Sequence, residues 1–333
     1  MRSGTGTNEF VPRVLVDFTH PEHPLAFLLF TSPPAGRGEA EMQPVLFCCH
    51  GGGPLPLIGQ QPEYLEHFRG LVSFLPAPPL AILVVSAHWE EDSATVMDGE
   101  ATSLLFDYYG FPEETYTYEY PARGSPAVAK RVHDLLEHAG LPCKKTSSRG
   151  LDHGAFVPLM AAFPDASVPV LQLSLVKGLD PTLHTRIGTL LRPLRHEGVL
   201  IFGSGLSFHN MQAFMQTMRG SCSPDIAARA IEFDARLTDV CTNTAHCECR
   251  TQGGDALART ESSALCARQR MLIEWNQFPH ARFCHPREEH LAPLWVCVGA
   301  AGTDEGRKIF DGGGSVLVSG LGRTIAVSSF KFG

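Results

Sequence analysis

The sequence predicts an α/β fold: one domain with a mostly parallel central sheet flanked by helices, and an active site at the carboxyl edge of the strands. Three observations lead there. Near-continuous apolar runs recur at 45–49 (VLFCC), 80–87 (LAILVVSA) and 199–203 (VLIFG), and runs of this kind mark strands buried on both faces. Helix-length patterns stand between them, which makes βαβ units with right-handed crossovers. Each run also breaks into a histidine close to glycine, serine or tryptophan: His50 before Gly51-Gly52-Gly53-Pro54, His88 before Trp89, and His209 after Ser204-Gly205. In an open α/β sheet the carboxyl ends of the strands share one crevice, so these three histidines are expected to converge.

The first 44 residues read as an N-terminal extension, with a strand at 13–18, an apolar patch at 25–30 and a Pro/Gly linker at 32–38. After the first buried strand, Pro62 opens a helix whose Tyr64, Phe68, Leu71, Val72 and Leu75 share a face, and the Pro76–Pro79 stretch stops it. The segment 106–126 is aromatic and rich in proline and glycine, the makeup of an ordered loop that shapes a binding site. Ser125 with Pro126 starts a helix to about 139, followed by a short strand at 144–146. Asp152-His153-Gly154 precedes an apolar helix at 155–163, then come a buried strand at 168–175 and a helix at 180–195. Residues 212–285 read as an insertion, with helices at 224–242 and 262–276 around a polar loop at 244–255. A helix is expected from Glu288 to Ala300, a loop over 304–314, and closing strands at 316–318 and 323–330. The main domain is therefore expected to span 45–331.

Composition narrows the function classes. Of 333 residues, 44% are apolar and 19% charged, and Lys plus Arg against Asp plus Glu gives 27 − 35 = −8, with no basic stripe. Nucleic acid and anionic membrane surfaces are thereby disfavoured as partners. No apolar run reaches the roughly 18 residues of a membrane span, and the N-terminus lacks an apolar signal region, so a cytoplasmic location is expected. The ten cysteines are scattered and read as reduced thiols. Cys241, His246, Cys247 and Cys249 resemble a metal cluster in composition only, since their spacing matches no structural zinc motif. Homo-oligomerisation is left open.

A transition-metal site needs three or four ligands of matched softness, and imidazole suits zinc, iron and copper. Besides His50, His88 and His209, His290 stands near Pro293 at the predicted start of a helix. His20, His23, His67, His133, His138, His184, His196, His246 and His280 read as ordinary hydrogen-bonded imidazoles, and no pattern supports His285 as a ligand. Trp89, Tyr116, Tyr118 and Tyr120 are candidates for the wall of an aromatic pocket, and Arg123 for a bidentate contact with a substrate carboxylate.

Six pieces in order carry a resemblance: His50 to Pro54, Ser86-Ala87-His88-Trp89, the two halves of 106–126, Asp152-His153-Gly154, Gly203-Ser204-Gly205 to His209-Asn210, and Glu289-His290 to Leu294. With them the sequence resembles the class III extradiol ring-cleavage dioxygenases, in the branch similar to 4,5-DOPA dioxygenase. The resemblance implies one mononuclear metal, Fe(II) when active and sometimes zinc as isolated, held by His50, His88 and His290. His209 is at times counted as a fourth ligand, and His153 with His209 matches the family's acid–base pair. The implied reaction joins a small aromatic diol, a catechol such as DOPA, with O2 to give a ring-opened semialdehyde. Relatives outside this branch use a glutamate as third ligand; Glu289, one helical step from His290, is expected to point elsewhere. Asp152 is expected to orient His153 or to cap the following helix. A zinc-loaded binding or signalling protein on the same scaffold and a zinc-dependent hydrolase are the alternatives. The triple glycine, the 212–285 segment and the first 44 residues depart from the bacterial members' pattern, which bears on substrate identity.

Overall fold

The structure is a computed structural model describing residues 41–218, 224–247, 265–312 and 325–333. The strand expected at 13–18, the patch at 25–30, the linker at 32–38, His20, His23, Cys249 and the strand expected at 316–318 lie outside the described residues.

Eight strands form one sheet: β1 (Val45–Cys49), β2 (Ala81–Glu91), β3 (Ala94–Met97), β4 (Cys143–Thr146), β5 (Val170–Val176), β6 (Val199–Gly205), β7 (Gly306–Asp311) and β8 (Ser328–Phe332), in the order β4-β3-β5-β2-β6-β1-β8-β7. The four central strands β5, β2, β6 and β1 are mutually parallel, and antiparallel neighbours close both flanks. The central strands are buried along nearly their whole length, as their continuous apolar sequences require: side chains on both faces meet helices. The register sets the level of the site. Cys49 pairs with Gly205, and Ser204 with Ser86, so His50, His88 and the chain leading to His209 leave the sheet side by side.

Several elements differ from the sequence expectation. β2 continues past His88 to Glu91, and its register against β5 shifts between Val85 and Glu90; a bulge of this kind re-aims side chains near an active site. β3 has only four residues, too few for a pattern to show. The region expected as a loop over 304–314 contains β7, half-exposed on the sheet edge. The helix at 180–195 is two pieces, Pro181–Leu191 and Pro193–His196, because Pro193 has no N–H to continue the ladder.

The Pro224–Thr242 helix lies where the sequence places it and buries Phe233, Leu237 and Val240. It is tied to the sheet by Asp234, which accepts from the Ser328 hydroxyl at 2.9 Å and the Lys308 ammonium at 3.3 Å. The second helix of that segment is shorter than expected, Ala267–Ile273. The eight described cysteines are free and buried. No helix among the described residues is long and apolar enough to cross a membrane.

Candidate metal centre

Five imidazoles gather at the carboxyl edge of β1, β2 and β6. His50 follows β1 directly, and its amide donates to the Gly205 carbonyl at 3.1 Å. His88 sits on the bulged end of β2. His153 is the first residue of the His153–Ala162 helix, whose N-cap is Asp152: its carboxylate accepts from the Ala155 amide at 3.2 Å, the Ser86 hydroxyl at 2.7 Å and the Gln172 amide at 2.8 Å. Asp152 thus fulfils the capping role rather than orienting His153. His209 and His290 come from the loop after β6 and from the turn before the Ala292–Ala301 helix.

Two close approaches make the gathering possible. The Gly205 Cα faces the His290 carbonyl so tightly that a Cβ there would lie 2.1 Å from that oxygen, while the Leu206 amide donates to the same carbonyl at 3.0 Å. Gly154 meets β2 similarly, with a Cβ falling 2.7 Å from the Ser86 hydroxyl and 3.1 Å from the His88 ring. The glycine run behind His50 serves the turn itself, since Gly51 and Gly53 have φ of 78° and 57°.

Ring centroids of His50, His88 and His290 form a near-equilateral triangle with sides of 4.9, 4.9 and 5.3 Å. His153 lies beside His88 at 4.0 Å, and His209 stacks on His290 at 3.5 Å. The hydrogen bonds fix which nitrogen of each ring stays free. Ser204 donates its hydroxyl to the Gly154 carbonyl, so the 3.0 Å contact between His50 Nδ1 and Ser204 Oγ must run from the ring to the hydroxyl. His153 Nδ1 donates to Asp107 Oδ1 at 2.8 Å. His209 and His290 donate from Nδ1 to one oxygen, Glu289 Oε1, at 2.8 and 2.9 Å. Four rings are therefore Nδ1–H tautomers whose Nε2 lone pair is left free to ligate or to take a proton. His88 Nδ1 faces Asp107 Oδ2 at 3.6 Å, and its Nε2 stands 3.1 Å from His50 Nε2. That is the spacing of two donors meeting at one ion with bonds of about 2.0–2.1 Å.

Electrostatics keeps the rings in their ligating form. Burial, then the neighbouring imidazoles, hold His50 and His290 well below the usual histidine range. Burial and then His153 bring His88 down to about 4. Burial would raise Asp107, but its hydrogen bond from His153 and the imidazoles around it win and draw it to about 2. Imidazoles with anchored Nδ1 atoms and a free Nε2 fit a borderline first-row ion. Among the described residues two groups have three donor atoms within 4.8 Å of one another: His50, His88 and His153, and His209, Glu289 and His290. The first contains two of the expected ligands with His153 as the third, whereas the expected third ligand His290 falls in the other group, so donor spacing alone favours His153 and only the ring triangle favours His290. The remaining buried histidines have other partners: His67 meets the Ser329 hydroxyl at 3.1 Å, His184 accepts from the Val176 amide at 3.0 Å, and His285 contacts the Ser207 carbonyl at 2.9 Å.

The histidines form the floor of a cavity of about 680 Å³. The expected aromatic wall is not its wall. Trp89 follows His88 in a strand, so the two point to opposite faces; its indole N–H donates to Glu91 at 2.9 Å, with the Arg149 guanidinium 4.6 Å over the ring. Tyr120 is buried and donates its hydroxyl to the Phe163 carbonyl at 3.1 Å. Tyr118 and Arg123 also stand outside the lining, and Arg123 is exposed. Tyr64, Tyr108, Phe111 and Phe214 take their place. Glu289 corrects the helical expectation too: it lies in a turn, not a helix, so its carboxylate reaches back to His290. Asp107 has no local sequence signal beyond its place in the aromatic loop, because its partner is 46 residues away.

The chain matches known proteins over most of its length. The family described as the catalytic LigB subunit of aromatic ring-opening dioxygenase matches residues 71–321, a stretch that carries His88, His153, His209 and His290 and begins after His50. The chain is similar to the dioxygenase tasH of Hapsidospora irregularis, with 36% identity over 79% of this chain and 80% of that one. It is similar to the 4,5-DOPA dioxygenase extradiol of Beta vulgaris, with 35% identity over 83% of this chain and 94% of the other. The crystal structure of an uncharacterized Escherichia coli K12 protein superposes with a TM-score of 0.61 and 26% identity, covering 87% of this chain and all of that one, 100%. With five imidazoles at the carboxyl edge of a mostly parallel sheet, these matches place the function: the chain belongs to the LigB family of aromatic ring-opening dioxygenases, oxidoreductases of the class III extradiol type.

Proposed function

We propose that this protein is an Fe(II)-dependent extradiol dioxygenase that opens the ring of a catechol with O2 to a semialdehyde, with His50, His88 and His290 as ligands and His153 and His209 as the acid–base pair. The observation that carries the reading is the triangle of His50, His88 and His290, with ring centroids 4.9–5.3 Å apart, flanked by His153 and His209. Bound there, iron would supply the redox chemistry that a catechol and dioxygen lack on their own. The chain's own groups do the rest. His209, with Nδ1 committed to Glu289, accepts a phenolic proton at Nε2. His153, with Nδ1 committed to Asp107, collects the second and returns it as the ring opens. The two anchoring carboxylates keep each ring in one tautomer throughout. Both oxygen atoms of O2 end in the product, so no external reductant is needed.

The similarity to 4,5-DOPA dioxygenases makes DOPA the first catechol to try. Protein reconstituted anaerobically with Fe(II) is expected to take up oxygen when a catechol is added, with growth of a yellow semialdehyde. Stoichiometric iron without oxygen uptake on any catechol would overturn the proposal, and stoichiometric zinc with no iron-dependent turnover would favour the binding or hydrolytic alternatives.

A further inference from the structure

The geometry points to a catechol whose substituent is uncharged and apolar, rather than one bearing an amino-acid, carboxylate or ammonium side chain. This inference rests on the catechol reading above and concerns the part of the cavity away from the histidines. Among the described residues the cavity lining contains no Lys, Arg, Asp or Glu. Its walls are mostly apolar, with Leu55 and Ile58 from the turn after Gly53, Phe111 and Pro112 from the aromatic loop and Met211 and Phe214 from the Met211–Met218 helix, and its other polar members, Gln60, Gln61, Tyr64 and Tyr108, are uncharged. At about 680 Å³ it lies well inside the range of sites for drug-sized ligands, roughly 300–1,000 Å³. A single diol ring at the histidine floor therefore leaves room for a further substituent against these walls.

A carboxylate placed there would lose water and find no cation among the described lining residues. Two carboxylates, Asp107 and Glu289, already stand behind the histidines and add repulsion. The guanidinium of Arg287 lines an adjoining groove that shares His209 and Met211 with the cavity. It is occupied by Glu90 at 2.5 Å and faces Glu289 at 3.6 Å. An ammonium would be drawn by Asp107 and Glu289 only from behind the histidines, and among the described lining residues it meets no carboxylate to replace its lost water. Apolar atoms gain instead, because each methylene taken from water against Leu55, Ile58 or Phe214 strengthens binding by up to about fourfold.

The test is a binding series on the metal-loaded protein under nitrogen, followed by tryptophan quenching or calorimetry. The probes are 4-ethylcatechol, 4-butylcatechol, 3,4-dihydroxyphenylpropionate, its methyl ester, dopamine and DOPA. All share one diol, so its contribution cancels across the series. The ester is expected to bind at least about tenfold tighter than the acid, 4-butylcatechol tighter than 4-ethylcatechol, and DOPA and dopamine more weakly than either alkylcatechol. Phe111→Arg, or Leu55→Arg should the first fail to fold, is expected to raise the acid's affinity relative to the ester by about tenfold. DOPA or the acid binding as tightly as the neutral probes would overturn the inference, as would a charge-independent response in both arginine variants. So would an Arg287→Ala variant that selectively weakens the acid. Failure of the dioxygenase reading is separate: it would show as absent oxygen uptake with the affinity order intact.

Discussion

Replacing Glu289 by glutamine tests the most specific feature of the centre. One oxygen, Oε1, receives Nδ1–H from both His209 and His290, at 2.8 and 2.9 Å, while Oε2 is buried without a hydrogen bond and stands 3.6 Å from the Arg287 guanidinium. Glutamine keeps the shape but removes the charge. Hydrogen bonds to an ionised acceptor are roughly twice as strong as neutral ones, so both rings lose orientation at once. Carboxylates in this position typically control metal affinity by about 10–100-fold, equivalent to about 1.4–2.7 kcal/mol. The amide nitrogen would occupy the Oε2 position with no acceptor, at a cost of about 1–3 kcal/mol, but the variant also no longer buries a charge, and these opposing changes leave the fold intact.

The expected pattern for Glu289→Gln is thus a melting temperature close to wild type, a metal dissociation constant raised about 10–100-fold in competition with a chelator, and a turnover deficit that persists at saturating metal. That last deficit arises because His209 loses its anchor along with His290. Affinity within twofold of wild type together with unchanged turnover would show that the two short contacts do not hold the imidazoles. A large fall in melting temperature matching the loss of metal would assign Glu289 to folding alone.

Other predictions follow from single contacts. His50→Ala, His88→Ala and His290→Ala are each expected to abolish stoichiometric metal; His285→Ala keeps it, because that ring is spent on the Ser207 carbonyl, and metal loss in His153→Ala with retention in His290→Ala would reassign the third ligand. Gly205→Ala puts a Cβ 2.1 Å from the His290 carbonyl, so both melting temperature and metal content are expected to fall, and an unchanged metal content would refute that packing argument. Tyr120→Phe removes a hydroxyl bound to Phe163 and is expected to leave the KM for any catechol within twofold. Burial lowers His67 to about 4, so the unfolded chain takes up its proton first, near 6.5. Its contribution is full above that pH and fades as pH falls from 6.5 to 4, by about 3 kcal/mol in all; in urea melts, His67→Gln is expected to flatten this part of the pH profile.

How much of the centre could be read beforehand depends on whether the information is local. Buried parallel strands announce themselves, because burial on both faces demands unbroken apolar runs, and the histidines that end those runs were visible with them. Orientation is not local. Trp89 was grouped with His88 as a pocket residue, yet adjacent residues in a strand take opposite faces, so His88 facing the centre sends Trp89 to Arg149 and Glu91. That much the strand period alone could have told. Glu289 was set aside on a helical angle that applies only if the helix has begun, and boundaries of this kind shift by a few residues with the capping geometry. Asp107 has no signal beyond its place in the aromatic loop and Phe214 none, since the paths that bring that loop and the Met211–Met218 helix to the histidines are encoded in no local pattern. The ligating atoms of a metal centre are thus written in residue identity, whereas their tautomers are set by acceptors contributed from elsewhere in the fold: Ser204 for His50, Asp107 for His153, Glu289 for His209 and His290. A histidine pattern identifies donors, and only the three-dimensional arrangement of their acceptors leaves those donors free together.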